Sequence, residues 1–217
     1  DKSYPRHSAF AATSYIKWIE QSGFRWMPIS MFESARNIED KLASVNGVIL
    51  TGGKLNLNKN SLNVRIYRKV VRAILDHAMA RNDAGERFAV FGICLGYEAL
   101  LSSIMGDGYS FIQARDMNKM RPIYFTKEAH ESSYMRAVFS ERQMQRMSGR
   151  KLFYFHHKHA ADLAGSLSSG KFNEHFAILA AMNSTDNKQI ITMVKHKRYP
   201  FIGTQFHPEK VQFEHYD

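Results

Sequence analysis

The chain has 217 residues, of which 44% are hydrophobic and 12% aromatic, enough to bury one sizeable core, and we predict a single domain over residues 1–217. Its single cysteine excludes an internal disulfide, and no apolar run reaches the length of a membrane span. The formal net charge of +10 would attract polyanions, but the basic residues are scattered, without zinc-ligand spacing or an aromatic RNA-binding signature. A solvated basic surface is favoured over a specific nucleic-acid partner.

The first third of the chain predicts alternating helices and strands. Residues 1–7 are polar and lack the charged and apolar regions of a signal peptide. The predicted elements that follow are a helix over residues 8–22, a strand over 24–29, a short helix over 38–44, a strand over 47–50 and a helix over 62–81. This alternation is typical of an α/β fold.

The next stretch, V-F-G-I-C-L-G-Y-E, joins a strand predicted over residues 88–91 to a helix over 98–105. The G-x-C-x-G around Cys94 predicts a nucleophile elbow, in which the chain turns sharply and flanking glycines leave room for close backbone approach. The helix would direct N–H groups and its positive end at the sulfur, which favours the thiolate, so we expect a partly exposed, reactive Cys94. A buried structural cysteine between incidental glycines has the same local pattern.

The remainder of the chain predicts mostly short strands. The predicted elements are β-like pieces within residues 109–130, notably 121–125, a helical region over 131–147, strands over 151–155, 176–182 and 189–194, and a last strand that begins at 201. A hairpin turn is predicted between the strands at 176–182 and 189–194, where Asn183-Ser184-Thr185 also forms a glycosylation sequon that indicates secretory passage only weakly. His156, His157 and His159 lack a carboxylate or thiolate at ligand spacing, so no metal site is predicted.

Two further motifs carry reactive or strained groups at strand ends. In G-T-Q-F-H-P-E-K, His207 and Glu209 stand two residues apart across Pro208, so an imidazole base and a carboxylate that orients it can leave the strand together. An exposed turn could carry the same residues. The pair Gly52 and Gly53 follows the strand at 47–50, where a double glycine is most often a loop that needs positive φ.

The segments F-G-I-C-L-G-Y-E-A-L and G-T-Q-F-H-P-E-K resemble the two signature segments of the gamma-glutamyl hydrolase family, within the class I glutamine amidotransferase-like superfamily. Similarity continues through S-Y-I-K-W-I-E, N-G-V-I-L-T-G-G and F-H-H-K, in the family's order, while residues 107–150 match poorly. Amidotransferases proper usually carry Gln where this chain has Glu98, which favours the hydrolase branch.

The resemblance implies a doubly wound, mostly parallel sheet of the flavodoxin-like type, with helices on both faces. It implies a cysteine hydrolase of gamma-glutamyl amide bonds, with folate polyglutamates or other gamma-glutamyl peptides as substrates and no metal or organic cofactor. The implied catalytic residues are Cys94 as nucleophile, His207 as base and Glu209 as its orienting carboxylate. The implied oxyanion donors are the N–H groups of Gly53 and Leu95, and the residues expected at the substrate site are His157, Gly52 and Glu98, with His156 one residue away as the alternative to His157.

Family members normally begin with a central apolar strand ahead of the first helix, and that strand is apparently absent here, so we expect either missing residues or another segment in its place.

Two other interpretations stay open. The chain could be a glutamine amidotransferase or glutaminase, or an idle family member serving as a basic structural subunit. A homodimer and a larger assembly are both open, and the resemblance implies a lysosomal, vacuolar or secreted location.

Overall fold

The computed structural model describes residues 11–106 and 108–214. The helices are α1 (Thr13–Gln21), α2 (Ala35–Ala43), α3 (Leu62–Asp83), α4 (Leu95–Met105), α5 (Lys127–Glu131), α6 (Ser133–Val138), α7 (Glu141–Met147), α8 (Leu163–Ser168), α9 (Gly170–His175) and α10 (Pro208–Phe213). The strands are β1 (Gly47–Leu50), β2 (Ala89–Ile93), β3 (Ile112–Arg121), β4 (Tyr124–Phe125), β5 (Phe153–Ala160), β6 (Phe176–Asn183), β7 (Gln189–His196) and β8 (Phe201–Thr204). None of these helices combines the length and apolarity that a membrane span requires.

Six strands form one mixed sheet in the order β1-β2-β8-β7-β6-β4. The pairings β1–β2 and β2–β8 are parallel, whereas β8–β7, β7–β6 and β6–β4 are antiparallel. The remaining strands, β3 and β5, form a separate antiparallel pair. The predicted α/β class is confirmed, and the parallel pairing is confined to the half of the sheet in which β2 and β8 lie side by side.

Successive side chains of β2 point to opposite faces of the sheet, and helices cover both faces of this half. Val90 belongs to the larger core, together with buried residues of α3 and α4. Its neighbour Phe91 points to the opposite face, where its ring lies 5.7 Å from that of Trp18 on α1. A strand covered on both faces is expected to be almost continuously apolar, as the A-V-F-G-I sequence of β2 is.

The antiparallel half of the sheet has a second core, formed with α5, α6, α7 and the β3–β5 pair. On β7, Ile191 and Val194 belong to the larger core, whereas Ile190 and Met193 belong to the second. Members of each set are three residues apart, so the strict alternation of a strand is interrupted along β7, where its register with β6 shifts between Ile178 and Ala181. One buried methionine of each of α6 and α7, Met135 and Met144, fills this second core.

Most predicted elements are present, and one is wrong. The helices over 38–44 and 62–81, the strands over 47–50, 176–182 and 189–194, and the hairpin turn are confirmed within a few residues at their ends. The predicted helix over 8–22 is present as α1, but its first residues and the polar start of the chain lie outside the described residues. The helical region over 131–147 is divided by the capping residues Ser132 and Ser140.

The predicted strand over residues 24–29 is wrong, since this segment forms no ladder. Phe24 is 68% exposed and Trp26 is 40% exposed, so its aromatic side chains do not pack as they would on a half-buried strand. Aromatic residues favour strands because they pack against neighbouring strands. In the described part of the chain β1 pairs only with β2, and residues 24–29 gain no such neighbour.

The first turn of α4 packs directly on β1 and β2, and this contact depends on glycine. A Cβ added to Gly96 would lie 1.9 Å from the carbonyl oxygen of Leu50. A Cβ added to Gly92 would lie 2.6 Å from the carbonyl oxygen of Gly96. Both distances are much shorter than van der Waals contact. The helix α4 can therefore begin this close to β1 and β2 only because Gly92 and Gly96 lack a side chain.

We predict that Gly96→Ala lowers the free energy of unfolding by about 3 kcal/mol or more, because α4 must move away from β1. The matched control is Gly170→Ala, since nothing lies within 4 Å of an added Cβ there, and it should change stability by less than about 1 kcal/mol. Urea unfolding of the three proteins measures this difference. Equal stabilities for the two variants would contradict the packing described here.

Candidate active site

Cys94 alone makes the turn between β2 and α4. Its φ of 53° and ψ of −109° lie in a region that few residues with a side chain adopt. Its N–H donates to the carbonyl oxygen of Thr204 at 2.8 Å, and its carbonyl oxygen accepts the N–H of Glu98 at 3.0 Å as the first hydrogen bond of α4. The backbone on each side of the turn is thereby fixed, which offsets a strain of about 1–3 kcal/mol.

The thiol of Cys94 is buried, so the expectation of a partly exposed cysteine is wrong. The residue is 5% exposed, and Sγ lies 3.7 Å from the carbonyl oxygen of His156 on β5. Burial raises the pKa of the thiol far above its ordinary value, and the charge of Glu98 raises it further. The N–H of Leu95 bonds to the sulfur and lowers the pKa, but this contribution is smaller than that of burial. The resting thiol is therefore protonated at neutral pH.

His207 and Glu209 form a buried pair at the end of β8. Nδ1 of His207 lies 2.7 Å from Oε1 of Glu209, and the two residues are 4% and 0% exposed. The backbone N–H of His207 donates to the carbonyl oxygen of Tyr154 at 2.9 Å, which ties the pair to β5. Because the carboxylate faces Nδ1, that nitrogen carries the ring proton and Nε2 has its lone pair free to accept one.

Gly52, just after β1, is the point at which these groups meet. A Cβ on Gly52 would lie 2.9 Å from Cε1 of His207, 3.5 Å from Cβ of Cys94 and 2.8 Å from the hydroxyl oxygen of Tyr15. The structure thus brings Cys94, His207 and Glu209 together beside the ends of β1, β2 and β8. A side chain at residue 52 would collide with the His207 imidazole and the Tyr15 hydroxyl.

The two residues expected to supply oxyanion donors also lie side by side. A Cβ on Gly53 would lie 2.7 Å from Cδ2 of Leu95. The backbone N–H of Leu95 lowers the pKa of the Cys94 thiol, which places this N–H beside the sulfur. Gly53 is exposed to solvent.

Glu98 lies in the first turn of α4, beneath the nucleophile. It is 6% exposed, and Nε2 of Gln205 donates to its Oε1 at 3.5 Å. Burial raises the pKa of Glu98 to about 8, against the lowering effect of Gln205. The side chain is therefore mostly a neutral carboxylic acid at pH 7, able to donate a hydrogen bond.

The two candidate histidines on β5 point in opposite directions. His157 is 4% exposed, lies inside the second core, and its Nδ1 is 3.0 Å from the carbonyl oxygen of Ala114. Burial lowers its pKa to about 4. His156 is half-buried and hydrogen-bonds to Oδ1 of Asn118, a residue with a φ of 52°. His156 contacts Cys94 through its backbone carbonyl oxygen, whereas the ring of His157 lies buried beside the carbonyl of Ala114.

A group of cations surrounds His156. Burial lowers the pKa of His156, and the charges of His207, Lys210, Lys54 and Lys158 lower it further. This group, which we call the cleft cations, comprises Lys54, Lys158 and Lys210, of which Lys210 is ion-paired with Glu214. The positive charge around His156 would attract anions.

Sequence reasoning missed Tyr15 and Gln205. Tyr15 appears in the sequence only as one apolar position of an amphipathic helix, yet its hydroxyl accepts the N–H of Gly52 at 2.8 Å. Gln205 stands inside the G-T-Q-F-H-P-E-K motif and could have been found there as a polar residue in a buried strand end. Among the described residues no group of three or more His, Cys, Asp or Glu side chains could hold a metal.

The sequence of the chain is similar to those of known proteins. The family model described as Peptidase C26 matches residues 2–209. Gamma-glutamyl hydrolase 1 of Arabidopsis thaliana is 32% identical over 208 residues, which cover 95% of this chain and 58% of that protein. Gamma-glutamyl hydrolase of Mus musculus is 31% identical over 207 residues, covering 94% of this chain and 62% of that protein. The chain therefore spans less than two thirds of the length of these relatives.

A solved structure of a glutamine amido transferase from Methylobacillus flagellatus has the same fold. It superposes with a TM-score of 0.56 at 13% identity and covers 92% of this chain and 68% of that one. At this identity the likeness concerns the fold alone.

We predict that alkylation of Cys94 by iodoacetamide accelerates from about pH 6 to about pH 9 without reaching a plateau, because its thiol pKa is raised. Glu98→Gln should match the wild type near pH 6.5, where Glu98 is neutral, and react about threefold faster or more near pH 9. There the wild-type Glu98 has ionised past its pKa of about 8 and its charge opposes the thiolate.

The chain has 1 cysteine, so the labelling rate, followed by mass spectrometry, reports Cys94 alone. A plateau with a midpoint below about pH 7 would contradict the account, as would equal rates for the two proteins near pH 9.

Proposed function

The chain belongs to the peptidase C26 family, and from that premise we propose that it is a cysteine hydrolase that cleaves gamma-glutamyl amide bonds. Folate polyglutamates and other gamma-glutamyl peptides are the proposed substrates. The proposal is carried by one observation, the convergence of Cys94, His207 and Glu209 around Gly52. The names and identities of the two relatives support the choice of bond.

In the proposed first half of the reaction, Nε2 of His207 takes the thiol proton while the sulfur of Cys94 attacks the gamma-carbonyl carbon. The carbonyl oxygen becomes an oxyanion, and the N–H groups of Gly53 and Leu95 stabilise it by about 3 kcal/mol each. His207 then gives its proton to the departing amine as the C–N bond breaks. The products are the free amine and a gamma-glutamyl thioester on Cys94.

In the second half, water enters the place of the departed amine. His207 removes a proton from the water as its oxygen attacks the thioester carbon, and the same donors hold the oxyanion. The C–S bond breaks, the sulfur recovers its proton from His207, and the glutamyl gamma-carboxylate leaves. Glu209 stabilises the imidazolium in both halves, since a buried carboxylate 2.7 Å from Nδ1 favours the charged ring.

The raised pKa of Cys94 is compatible with this scheme. A thiol that rests protonated needs a base at the moment of attack, and His207 offers Nε2 for that purpose. During the attack the negative charge passes from the sulfur to the carbonyl oxygen, which the N–H donors stabilise. A buried thiolate therefore does not need to accumulate.

The positive charges near the site support an acidic substrate. The carboxylates nearest Cys94 are buried, Glu209 against His207 and Glu98 as a mostly neutral acid at pH 7, and Lys210 among the cleft cations is ion-paired with Glu214. A gamma-linked glutamate chain carries one α-carboxylate for each residue, and such groups would meet these cations. We retain Glu98 and Gly52 as proposed substrate-site residues, with His156 in the place expected for His157.

The glutaminase and amidotransferase alternative uses the same three residues on glutamine, and only the fold likeness favours it. The idle structural subunit predicts no turnover at all. Release of glutamate from a gamma-glutamyl peptide, measured beside release from glutamine, separates the three. The lysosomal, vacuolar or secreted location remains a proposal from the family resemblance.

We predict that Glu209→Gln lowers kcat on a gamma-glutamyl peptide more than tenfold, roughly 20- to 1,000-fold, with KM changed less than about threefold. The substitution keeps the shape of the side chain but removes the charge that stabilises the imidazolium. Cys94→Ala should lose more activity, because the nucleophile itself is gone. Steady-state kinetics on the three proteins measures this.

Circular dichroism of each variant serves as the folding control. An unchanged kcat for Glu209→Gln would reduce the triad to Cys94 and His207. Equal activity of Cys94→Ala and wild type would remove the proposed function.

A further inference from the structure

The hydroxyl of Tyr15 has no part in the reaction proposed above, yet it lies within the site. Tyr15 is 5% exposed and belongs to a small buried cluster with Ile93 and Cys94. Its oxygen accepts the N–H of Gly52 at 2.8 Å. Accepting that bond does not use the hydroxyl proton, so a buried O–H donor remains to be satisfied.

Glu209, in turn, has a buried acceptor oxygen that lacks a hydrogen-bond donor. It is fully buried, and Oε1 receives the Nδ1–H of His207 at 2.7 Å. Its other oxygen, Oε2, is buried without a hydrogen-bond partner in the described part of the chain. A buried carboxylate oxygen without a donor is costly, by roughly 1–3 kcal/mol or more.

The donor and the acceptor are neighbours. The position of a Cβ on Gly52 lies 2.8 Å from the Tyr15 oxygen and 2.9 Å from Cε1 of His207, the carbon between the two ring nitrogens. Burial raises the pKa of Tyr15, and the charge of Glu209 is the next largest cause. The hydroxyl therefore stays protonated and feels the carboxylate more strongly than any other charged group.

The helices that carry the two residues are also tied together. Oγ of Ser14, next to Tyr15 on α1, donates to Oε1 of Glu214 at 2.6 Å, just beyond the end of α10. The position of Tyr15 relative to Glu209 is thus set by a helix contact and does not depend on one side-chain torsion alone.

We propose that Tyr15 is a positioning residue: its hydroxyl donates to Oε2 of Glu209 while accepting from Gly52, and so fixes the His207 imidazole relative to Cys94. The bridge joins the carboxylate of the triad to the loop that carries Gly53. It holds Glu209 by both oxygens, one toward His207 and one toward Tyr15. Only the turnover readout of this inference rests on the proposed hydrolase function.

The test is a double-mutant cycle with Tyr15→Phe, Glu209→Gln and the combined variant. Tyr15→Phe keeps the ring and removes the hydroxyl, and it should lower kcat on a gamma-glutamyl peptide about tenfold with KM within about twofold. In the Glu209→Gln background the same change should cost less than about twofold, because the charged acceptor is gone. An equal loss in both backgrounds, or no loss in either, would overturn the proposal.

The matched control is Tyr109→Phe, which removes a largely buried hydroxyl 3.4 Å from Oγ of Ser166, away from the site. It should leave kcat unchanged. The cycle is repeated without substrate, as the rate of Cys94 alkylation by iodoacetamide at about pH 8.5, where proton removal by His207 assists the reaction.

Tyr15→Phe should slow that alkylation in the wild-type background and leave it unchanged in the Glu209→Gln background. A wild type that cleaves no gamma-glutamyl peptide would refute the proposed function, while the alkylation cycle still decides the role of Tyr15. Alkylation slowed equally in both backgrounds would assign Tyr15 to packing and contradict the bridge.

Discussion

The whole site depends on one contact, the close packing of the first turn of α4 on β1 and β2, which is possible because Gly96 and Gly92 have no side chain. This contact lets the chain reverse direction at a single residue, and it forces Cys94 into a conformation that residues with side chains rarely adopt. The strain is held by the ladder between β2 and β8, which ends with the Cys94 N–H on Thr204. Because β8 leads directly to His207, the same ladder that fixes Cys94 also fixes His207. The positions of both residues thus have a common origin in backbone packing.

Burial is the second constraint, and it acts against charge everywhere in the site. It raises the pKa of Cys94 and that of Glu98, and it leaves the His207–Glu209 pair sheltered from water. In such surroundings a dipole or a hydrogen bond acts more strongly than it would in water. The N–H of Leu95 therefore acts strongly on the Cys94 thiol, as the carboxylate of Glu209 does on the His207 ring. A protonated thiol in the resting state is the consequence, and the proposed attack therefore includes a proton transfer.

Much of the candidate site could be predicted from sequence, because no other residue type fits the close backbone contacts of the glycines or supplies the chemistry of the other site residues. The two glycines around Cys94 and the pair His207 and Glu209 sit at strand ends, where spacing along the chain determines direction in space. The sequence could not show that the strand over 24–29 would lack a neighbour, since pairing is a property of the whole sheet. Nor could it tell His156 from His157, because one residue of register reverses the face of a strand. The burial of Cys94 and the role of Tyr15 depend on contacts between α1, β5 and α10, which lie far apart in sequence.

The central claim is that Cys94 carries the substrate through a covalent step. It is tested most directly by rapid acid quenching of the protein during turnover of a gamma-glutamyl peptide, followed by mass spectrometry of the digested chain. The account predicts that the peptide containing Cys94 gains the mass of one glutamyl residue, that the adduct disappears when substrate is exhausted, and that Cys94→Ala forms none. Glutamate release that continues in Cys94→Ala, or an adduct on any other residue, would contradict it.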